Sequence, residues 1–110
     1  FFKQKTAYEI VDCDWSSDVC SSDLGSRIEV HMDGGIRSGQ DVLKALALGA
    51  KGTYIGRAFN YGLGAMGEAG VTKALEIIHR ELDLTMAFCG RTQVAQVDRS
   101  ILLPGTYPTA

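Results

Sequence analysis

The chain has little net charge and no long apolar run. Its 11 Lys and Arg residues nearly balance its 13 Asp and Glu residues, so the formal net charge is −2 at pH 7. This balance provides no positive surface for nucleic acid or for an anionic membrane, and neither partner is predicted. No apolar stretch reaches the roughly 18 residues of a spanning helix, and the first residues lack the basic-then-apolar order of a secretory signal. We expect a soluble, cytoplasmic protein.

Cysteine is also scarce. Cys13 and Cys20 lie in the N-terminal segment, and Cys89 stands alone near the end of a predicted helix. Thiols placed in this way give neither a disulfide framework nor the paired spacing of a zinc site, so no metal site is predicted. We expect Cys89 to pack as a small apolar side chain.

The N-terminal segment, residues 1–24, has the periodicity of neither a helix nor a strand and ends in the polar run DWSSDVCSSDL. Residues 2–9 and 14–24 resemble the in-frame translation of the two ends of a sequencing-library adapter, with the sample index between them. We therefore predict that residues 1–24 are non-native and that residues 25–110 form the genuine domain. A Ser/Asp-rich linker is the alternative, and the nucleotide sequence of these codons decides between the two.

A strand, a glycine turn and a helix follow one another after this segment. Apolar and polar residues alternate over 27–32, which predicts a short strand. Gly34 and Gly35 then allow a tight turn whose N–H groups can approach an anion closely. Ser38, followed three residues later by aspartate, predicts a helix N-terminus, and Gly49 is expected to end that helix. The apolar stripe of this helix consists of Val42, Leu43, Leu46 and Ala47.

A second unit repeats this order. Residues 52–55 predict a short buried strand, and Gly56 and Arg57 follow at its C-terminal end. A strand, a helix and a strand at this spacing form a βαβ crossover with parallel strands. The loops at 33–37 and at Gly56–Arg57 are then expected to lie side by side at one edge of the sheet.

A long helix is predicted over 68–89, because apolar residues recur at helical spacing and Gly90 can terminate it. Glu76 and Arg80 can form an ion pair on its polar face. The apolar stripe expected to pack against the rest of the fold consists of Val71, Leu75, Ile78 and Leu82.

Several of these segments together resemble one enzyme family. Residues 32–42 read MDGGIRSGQDV, residues 44–50 read KALALGA and residues 55–57 read IGR. Residues 67–71 read GEAGV and residues 81–87 read ELDLTMA. These runs resemble the C-terminal region of FMN-dependent 2-hydroxy acid dehydrogenases and oxidases, most closely the lactate type. The resemblance covers nearly all of the chain from Ile28 to about Ile101.

The resemblance implies an α/β fold, namely about strands 7 and 8 with their helices from a (β/α)8 TIM barrel. A complete barrel of this kind has roughly 250 residues, so a chain of 110 residues is expected to be a C-terminal fragment. The implied cofactor is FMN, and the implied substrate is a small L-2-hydroxy acid, with lactate favoured. The intact parent is expected to be a homo-oligomer, as family members often are.

The resemblance also assigns the site residues. The loop at 33–37 would hold the ribityl and phosphate end of FMN, and the second loop would complete the site through a glycine amide and an arginine fork. The residues expected to bind the cofactor are Asp33, Gly34, Gly35, Ile36, Arg37, Gly56 and Arg57. His31 is interpreted as a strand residue, since the family places its catalytic histidine and its substrate arginine upstream, where this chain has no matching stretch.

Two alternatives remain open. The inosine-monophosphate dehydrogenase family has a similar Asp-Gly-Gly-Ile-Arg loop, although it usually places Gly-Ser where this chain has Gly56 and Arg57. The chain by itself is also expected to be catalytically inert, because two parallel strands with two helices bury little apolar surface. The sequence does not specify the hydroxy acid, the electron acceptor or the oligomeric state.

Overall fold

The computed structural model describes residues 27–107, so the predicted non-native segment 1–24 lies outside the described residues. The α/β class is confirmed for this part of the chain. No helix between residues 27 and 107 is long and apolar enough to cross a membrane. In chain order the elements are strand β1 (His31–Asp33), helix α1 (Gly39–Ala47), strand β2 (Gly52–Tyr54), helix α2 (Arg57–Met66), helix α3 (Glu68–Phe88) and the 3-10 helices η1 (Val94–Gln96) and η2 (Arg99–Ile101).

The two strands form a parallel sheet connected by α1, which confirms the predicted βαβ crossover. β1 starts later than the predicted 27–32, because a segment forms a ladder only where a partner strand lies beside it. β2 ends one residue before the predicted limit and is not buried, since Tyr54 is 58% exposed. The register pairs His31 with Gly52, Met32 with Thr53 and Asp33 with Tyr54.

Helix α1 begins at the predicted cap. The Ser38 hydroxyl accepts the Asp41 N–H at 3.3 Å and donates to the Asp41 carboxylate at 3.1 Å, so the two residues satisfy the first turn reciprocally. The helix ends at Ala47, and Gly49 follows with φ of 108°, a left-handed conformation that favours glycine. Both predicted ends of this helix are therefore confirmed.

Removing this cap is expected to destabilise the fold. Ser38→Ala leaves the Asp41 N–H without its side-chain acceptor, and such losses lower the free energy of unfolding by about 1 kcal/mol. The measurement is the urea midpoint of the full chain, with Ser38→Thr as the control because threonine keeps the hydroxyl that accepts the Asp41 N–H and donates to its carboxylate. Equal midpoints for the alanine variant and the original chain would contradict the role of the cap.

A small apolar core lies between α1, the loop before it and α3. Its buried side chains are Ile36, Leu43, Ala45, Ala47 and Met86. The predicted stripe of α1 is confirmed, since Leu43 and Ala47 are buried and its other two members are half-buried. Gly39 lies so close to α3 that a Cβ there would overlap the backbone of Leu82. The absence of a side chain at Gly39 thus sets the distance between the two helices.

Helix α2 differs from the prediction made from the sequence. The sequence indicates a loop at Gly56 and Arg57, whereas Arg57 is the first residue of this helix. α2 packs along α3, and the two helices approach most closely where Gly62 faces Gly70, because a Cβ at either position would overlap the backbone of the other. The composition of this segment by itself favours a helix only weakly, and the helix forms in contact with α3.

Helix α3 confirms the predicted long helix, ending at Phe88 one residue before the predicted limit. Its predicted stripe is only partly covered: three of its members are half-buried, but Leu75 is 51% exposed. The ion pair of Glu76 is with Lys73, at 3.4 Å, rather than with the predicted Arg80. Cys89, which follows the helix, is free and half-buried.

The chain after α3 is held by a polar cluster. The Arg91 guanidinium contacts the Ser100 hydroxyl at 2.6 Å and the Asp98 carboxylate at 3.4 Å. Asp98 also accepts the Ser100 N–H at 3.0 Å and caps η2. Hydrogen bonds from the Ser100 side chain and backbone, followed by the positive charge of Arg91, hold the pKa of Asp98 below its ordinary value.

Candidate functional site

The candidate site lies at the C-terminal ends of the two strands. Asp33 is the last residue of β1 and pairs with Tyr54, the last residue of β2. Because neighbouring strands lie about 4.8 Å apart, the loops that follow them start side by side. The structure thus brings the predicted loop at 33–37 to the same edge of the sheet as Gly56 and Arg57.

The first loop turns on two glycines. Gly34 has φ of 101° and Gly35 has φ of 76°, a region that a side chain with a Cβ rarely adopts. Both residues are exposed, and no atom lies within 4 Å of a Cβ built at either position. Between residues 27 and 107, no loop or side-chain acceptor takes their N–H groups. This turn therefore leaves two backbone donors without a loop or side-chain acceptor among the described residues.

Two other members of the loop have more restricted roles. Ile36 is only 4% exposed, so its side chain anchors the loop in the core and its backbone is the part left to contact a ligand. The N–H group of Arg37 donates to Asp41 Oδ2 at 3.1 Å and is already satisfied, whereas its guanidinium is exposed. Arg37 can therefore contribute charge to a ligand, but its amide serves the helix cap.

The N-terminus of α1 is filled by protein groups. Ser38 and Asp41 cap it locally, and Glu81 of α3 accepts the Gly39 N–H through Oε2 at 2.9 Å. Two carboxylates thus lie at the positive end of this helix dipole. An anionic ligand finds few free donors there.

The N-terminus of α2 is open by contrast. Its N-cap residue, Gly56, makes no side-chain hydrogen bond, and its first turn contains no acidic residue. Its first residue, Arg57, is exposed and has no ion-pair partner among residues 27–107. Orphan N–H groups, the positive end of the dipole and a guanidinium therefore coincide at one place, which is the chemistry that binds a phosphate.

Sequence reasoning missed which helix end is open. The signal is present, since Ser38 and Asp41 form a self-contained cap and no Ser, Thr, Asp or Asn immediately precedes Arg57. The contribution of Glu81 gives no such signal, because it lies 42 residues from Gly39 in the sequence. A helix end capped from another helix is visible only in the structure.

His31 lies on β1, two residues before Asp33. It is the first residue of β1, and its ring lies 5.7 Å from that of Tyr54 between centroids. Its Nε2 lies 3.6 Å from the Glu29 carboxylate. The interpretation of His31 as a strand residue is confirmed. Within residues 27–107, no group of three or more His, Cys, Asp or Glu residues could hold a metal ion.

Comparisons with known sequences identify the family of this chain. The profile of the FMN-dependent dehydrogenases matches residues 17–104, a range that includes residues 17–24 of the N-terminal segment. An L-lactate dehydrogenase of Caulobacter vibrioides is 51% identical over 79 residues, which are 72% of this chain and 21% of that protein. Glycolate oxidase 3 of Oryza sativa subsp. indica is 51% identical over 74 residues, 67% of this chain and 20% of that protein.

Solved structures give the same result. A flavocytochrome b2 variant with sulfite bound has a TM-score of 0.72 and 40% identity, over 77% of this chain and 23% of that one. A soluble mutant of the membrane-associated (S)-mandelate dehydrogenase from Pseudomonas putida has a TM-score of 0.73 and 35% identity, over 77% and 24%. The chain spans about a fifth of the curated relatives that it matches. It belongs to the FMN-dependent dehydrogenase family, whose cofactor is FMN.

Proposed function

We propose that this chain carries the FMN-phosphate site of an enzyme that oxidises a small L-2-hydroxy acid to the 2-oxo acid, with lactate as the substrate. The observation that carries the proposal is the open N-terminus of α2 with Arg57, next to the exposed glycine turn after β1. Lactate is preferred because the L-lactate dehydrogenase matches over a slightly longer stretch than the glycolate oxidase at equal identity.

The residues present fit the phosphate end of FMN. No atom lies within 4 Å of a Cβ built at Gly34, Gly35 or Gly56, so the space beside these three residues is open to a ligand. Arg37 and Arg57 supply two exposed guanidinium groups for the phosphate charge. The exposed Asp33 carboxylate, at the end of β1, suits a ribityl hydroxyl. Ile36 contributes by anchoring the loop.

Residues 27–107 are proposed to supply FMN binding and not the catalytic base. FMN, when bound, provides the ring that accepts hydride from the hydroxy acid. His31 is a strand residue of β1 whose Nε2 lies 3.6 Å from the Glu29 carboxylate, and we do not assign it the role of taking the substrate proton. The base and the arginine that binds the substrate carboxylate are proposed to belong to other strands of the intact enzyme.

The intact enzyme is proposed to be a (β/α)8 barrel in which β1 and β2 are about strands 7 and 8. Both strands have one unpaired edge within residues 27–107, and large apolar side chains are exposed on several elements. Phe88 is 88% exposed, Tyr61 71% and Met66 65%. Surfaces of this kind are normally covered by neighbouring units. Residues 25–110 would be the barrel part and residues 1–24 a non-native addition, in a cytoplasmic homo-oligomer.

The match to the FMN-dependent family favours FMN over the nucleotide of inosine-monophosphate dehydrogenases. The open α2 terminus with Arg57 adds a physical reason. A guanidinium at this position gives a phosphate a bidentate partner, which the Gly-Ser of the other family does not.

The proposal is tested with a hybrid enzyme, in which residues 27–107 replace the matching segment of the Caulobacter vibrioides L-lactate dehydrogenase. We expect the hybrid enzyme to carry FMN absorbance and to oxidise L-lactate. The purified 110-residue chain alone should show neither, because it spans only about a fifth of the relatives that it matches. A folded hybrid that binds no FMN would refute the phosphate site, and a yellow, active preparation of the chain alone would refute its dependence on the rest of the barrel.

A further inference from the structure

Glu81 joins helix α3 to the start of helix α1, close to the loop at 33–37. It lies on α3, and its Oε2 accepts the Gly39 N–H at the start of α1 at 2.9 Å. The side chain is half-buried, and the two residues are 42 positions apart in the sequence. This is a long-range contact made by a single carboxylate.

The contact is built into a tight helix crossing. Gly39 is buried against the backbone of α3 at Leu82, so the start of α1 has no room to move towards α3. The Thr85 hydroxyl donates to the Glu81 carbonyl oxygen at 2.6 Å, one turn further along α3. Glu81 therefore holds the start of α1 from a well-packed helix.

Helix α3 also supports the other half of the site. α2 lies along α3, with the backbones closest at Gly62 and Gly70, and the open end of α2 presents Arg57. The loop with the glycine turn ends two residues before Gly39. Both parts of the phosphate site are thus fixed to the same helix, one through helix packing and one through Glu81.

We propose that Glu81 is a positioning residue for the phosphate of FMN. It fixes the loop at 33–37 relative to the N-terminus of α2, through the hydrogen bond that its side-chain oxygen accepts from Gly39. The inference rests on the proposed FMN-phosphate site and goes beyond it by assigning a role to a residue that does not touch the ligand. The role requires a side chain long enough to bring an acceptor oxygen to Gly39. It does not require the negative charge of Glu81, because Asp41 already places a carboxylate at this helix end.

Two conservative substitutions separate the effect of side-chain length from the effect of charge. Glu81→Gln keeps an acceptor oxygen at the same distance and removes the charge. Glu81→Asp keeps the charge but shortens the side chain by one methylene group, which withdraws the oxygen from Gly39. The readout is the pair of dissociation constants of the hybrid enzyme for FMN and for riboflavin, which lacks the phosphate. A ligand that differs only in the phosphate isolates the positioning effect from general destabilisation.

We expect Glu81→Asp to raise the FMN dissociation constant about fivefold and to leave that of riboflavin within about twofold, since one hydrogen bond of ordinary strength is lost. Glu81→Gln should leave both constants within about twofold of the unsubstituted hybrid enzyme. Glu76→Gln is the matched control, because Glu76 lies on the same helix and its side chain is 61% exposed. It should change neither constant.

Three outcomes would overturn the inference. Glu81→Asp could bind FMN as tightly as the unsubstituted hybrid enzyme, Glu81→Gln could weaken FMN as much as Glu81→Asp, or any variant could weaken FMN and riboflavin equally. The last result would indicate a purely structural residue. Failure of the proposed function is distinguishable from these, because the unsubstituted hybrid enzyme would then bind FMN no more tightly than riboflavin.

Discussion

Gly39→Ala should separate α1 from α3 and destabilise the hybrid enzyme by about 3 kcal/mol, at the upper end of the range for overpacked cores. A Cβ at this position would overlap the backbone nitrogen of Leu82, and a helix backbone cannot move aside as a flexible side chain can. The shift would also pull the Gly39 N–H away from Glu81. One methyl group would therefore disturb both the packing of α1 against α3 and the adjacent loop at 33–37.

The matched control is Gly64→Ala. Gly64 lies in α2, and no atom lies within 4 Å of the position that an alanine methyl group would occupy there. Alanine at this position should be neutral or stabilise the helix by about 0.5–1 kcal/mol. The measurement is the urea midpoint of unfolding for the two variants and the unsubstituted hybrid enzyme. Equal midpoints for Gly39→Ala and Gly64→Ala would show that the overlap at Gly39 does not limit the packing.

Local signals account for the features that local residues determine. The cap at Ser38, the left-handed residue Gly49 and the long helix α3 each depend on side chains within one turn or on a sustained period. These are predictable because the partner of each hydrogen bond lies a few positions away. The glycine turn after β1 is predictable from its residues alone, since only glycine adopts its φ values easily.

Features that depend on distant partners are not predictable in this way. The limits of β1 are set by how much of β2 lies beside it, and α2 contains Gly62 and Gly64, which weaken any helical signal. Close contact of Gly62 with Gly70 stabilises that helix through packing that no sequence period displays. The capping role of Glu81 belongs to the same class.

The candidate site contains features of both kinds. The motif identifies its residues, but it does not show what each residue does. Ile36 serves the core and the Arg37 amide serves the cap, while the dipole available to an anion belongs to α2 rather than to α1. The proposed phosphate site is therefore centred closer to Gly56 and Arg57 than the motif alone implies.

Arg57→Ala should consequently weaken FMN more than any other single substitution in the site. Its guanidinium has no ion-pair partner among residues 27–107, so the side chain is available to form charge-assisted bonds with the phosphate. One such bond contributes about 1.5–3 kcal/mol, and its loss raises the FMN dissociation constant of the hybrid enzyme about tenfold or more. Riboflavin binding should be unaffected, because the lost partner is the phosphate.

Two further variants make this result specific. Arg57→Lys keeps the charge but loses the planar fork, so its FMN dissociation constant should lie between those of the alanine variant and the unsubstituted hybrid enzyme. Lys44→Ala removes a positive charge from the last turn of α1, at the opposite end of that helix from the site, and should leave FMN binding unchanged. If Arg57→Ala binds FMN as tightly as Lys44→Ala does, the phosphate is not held at the N-terminus of α2.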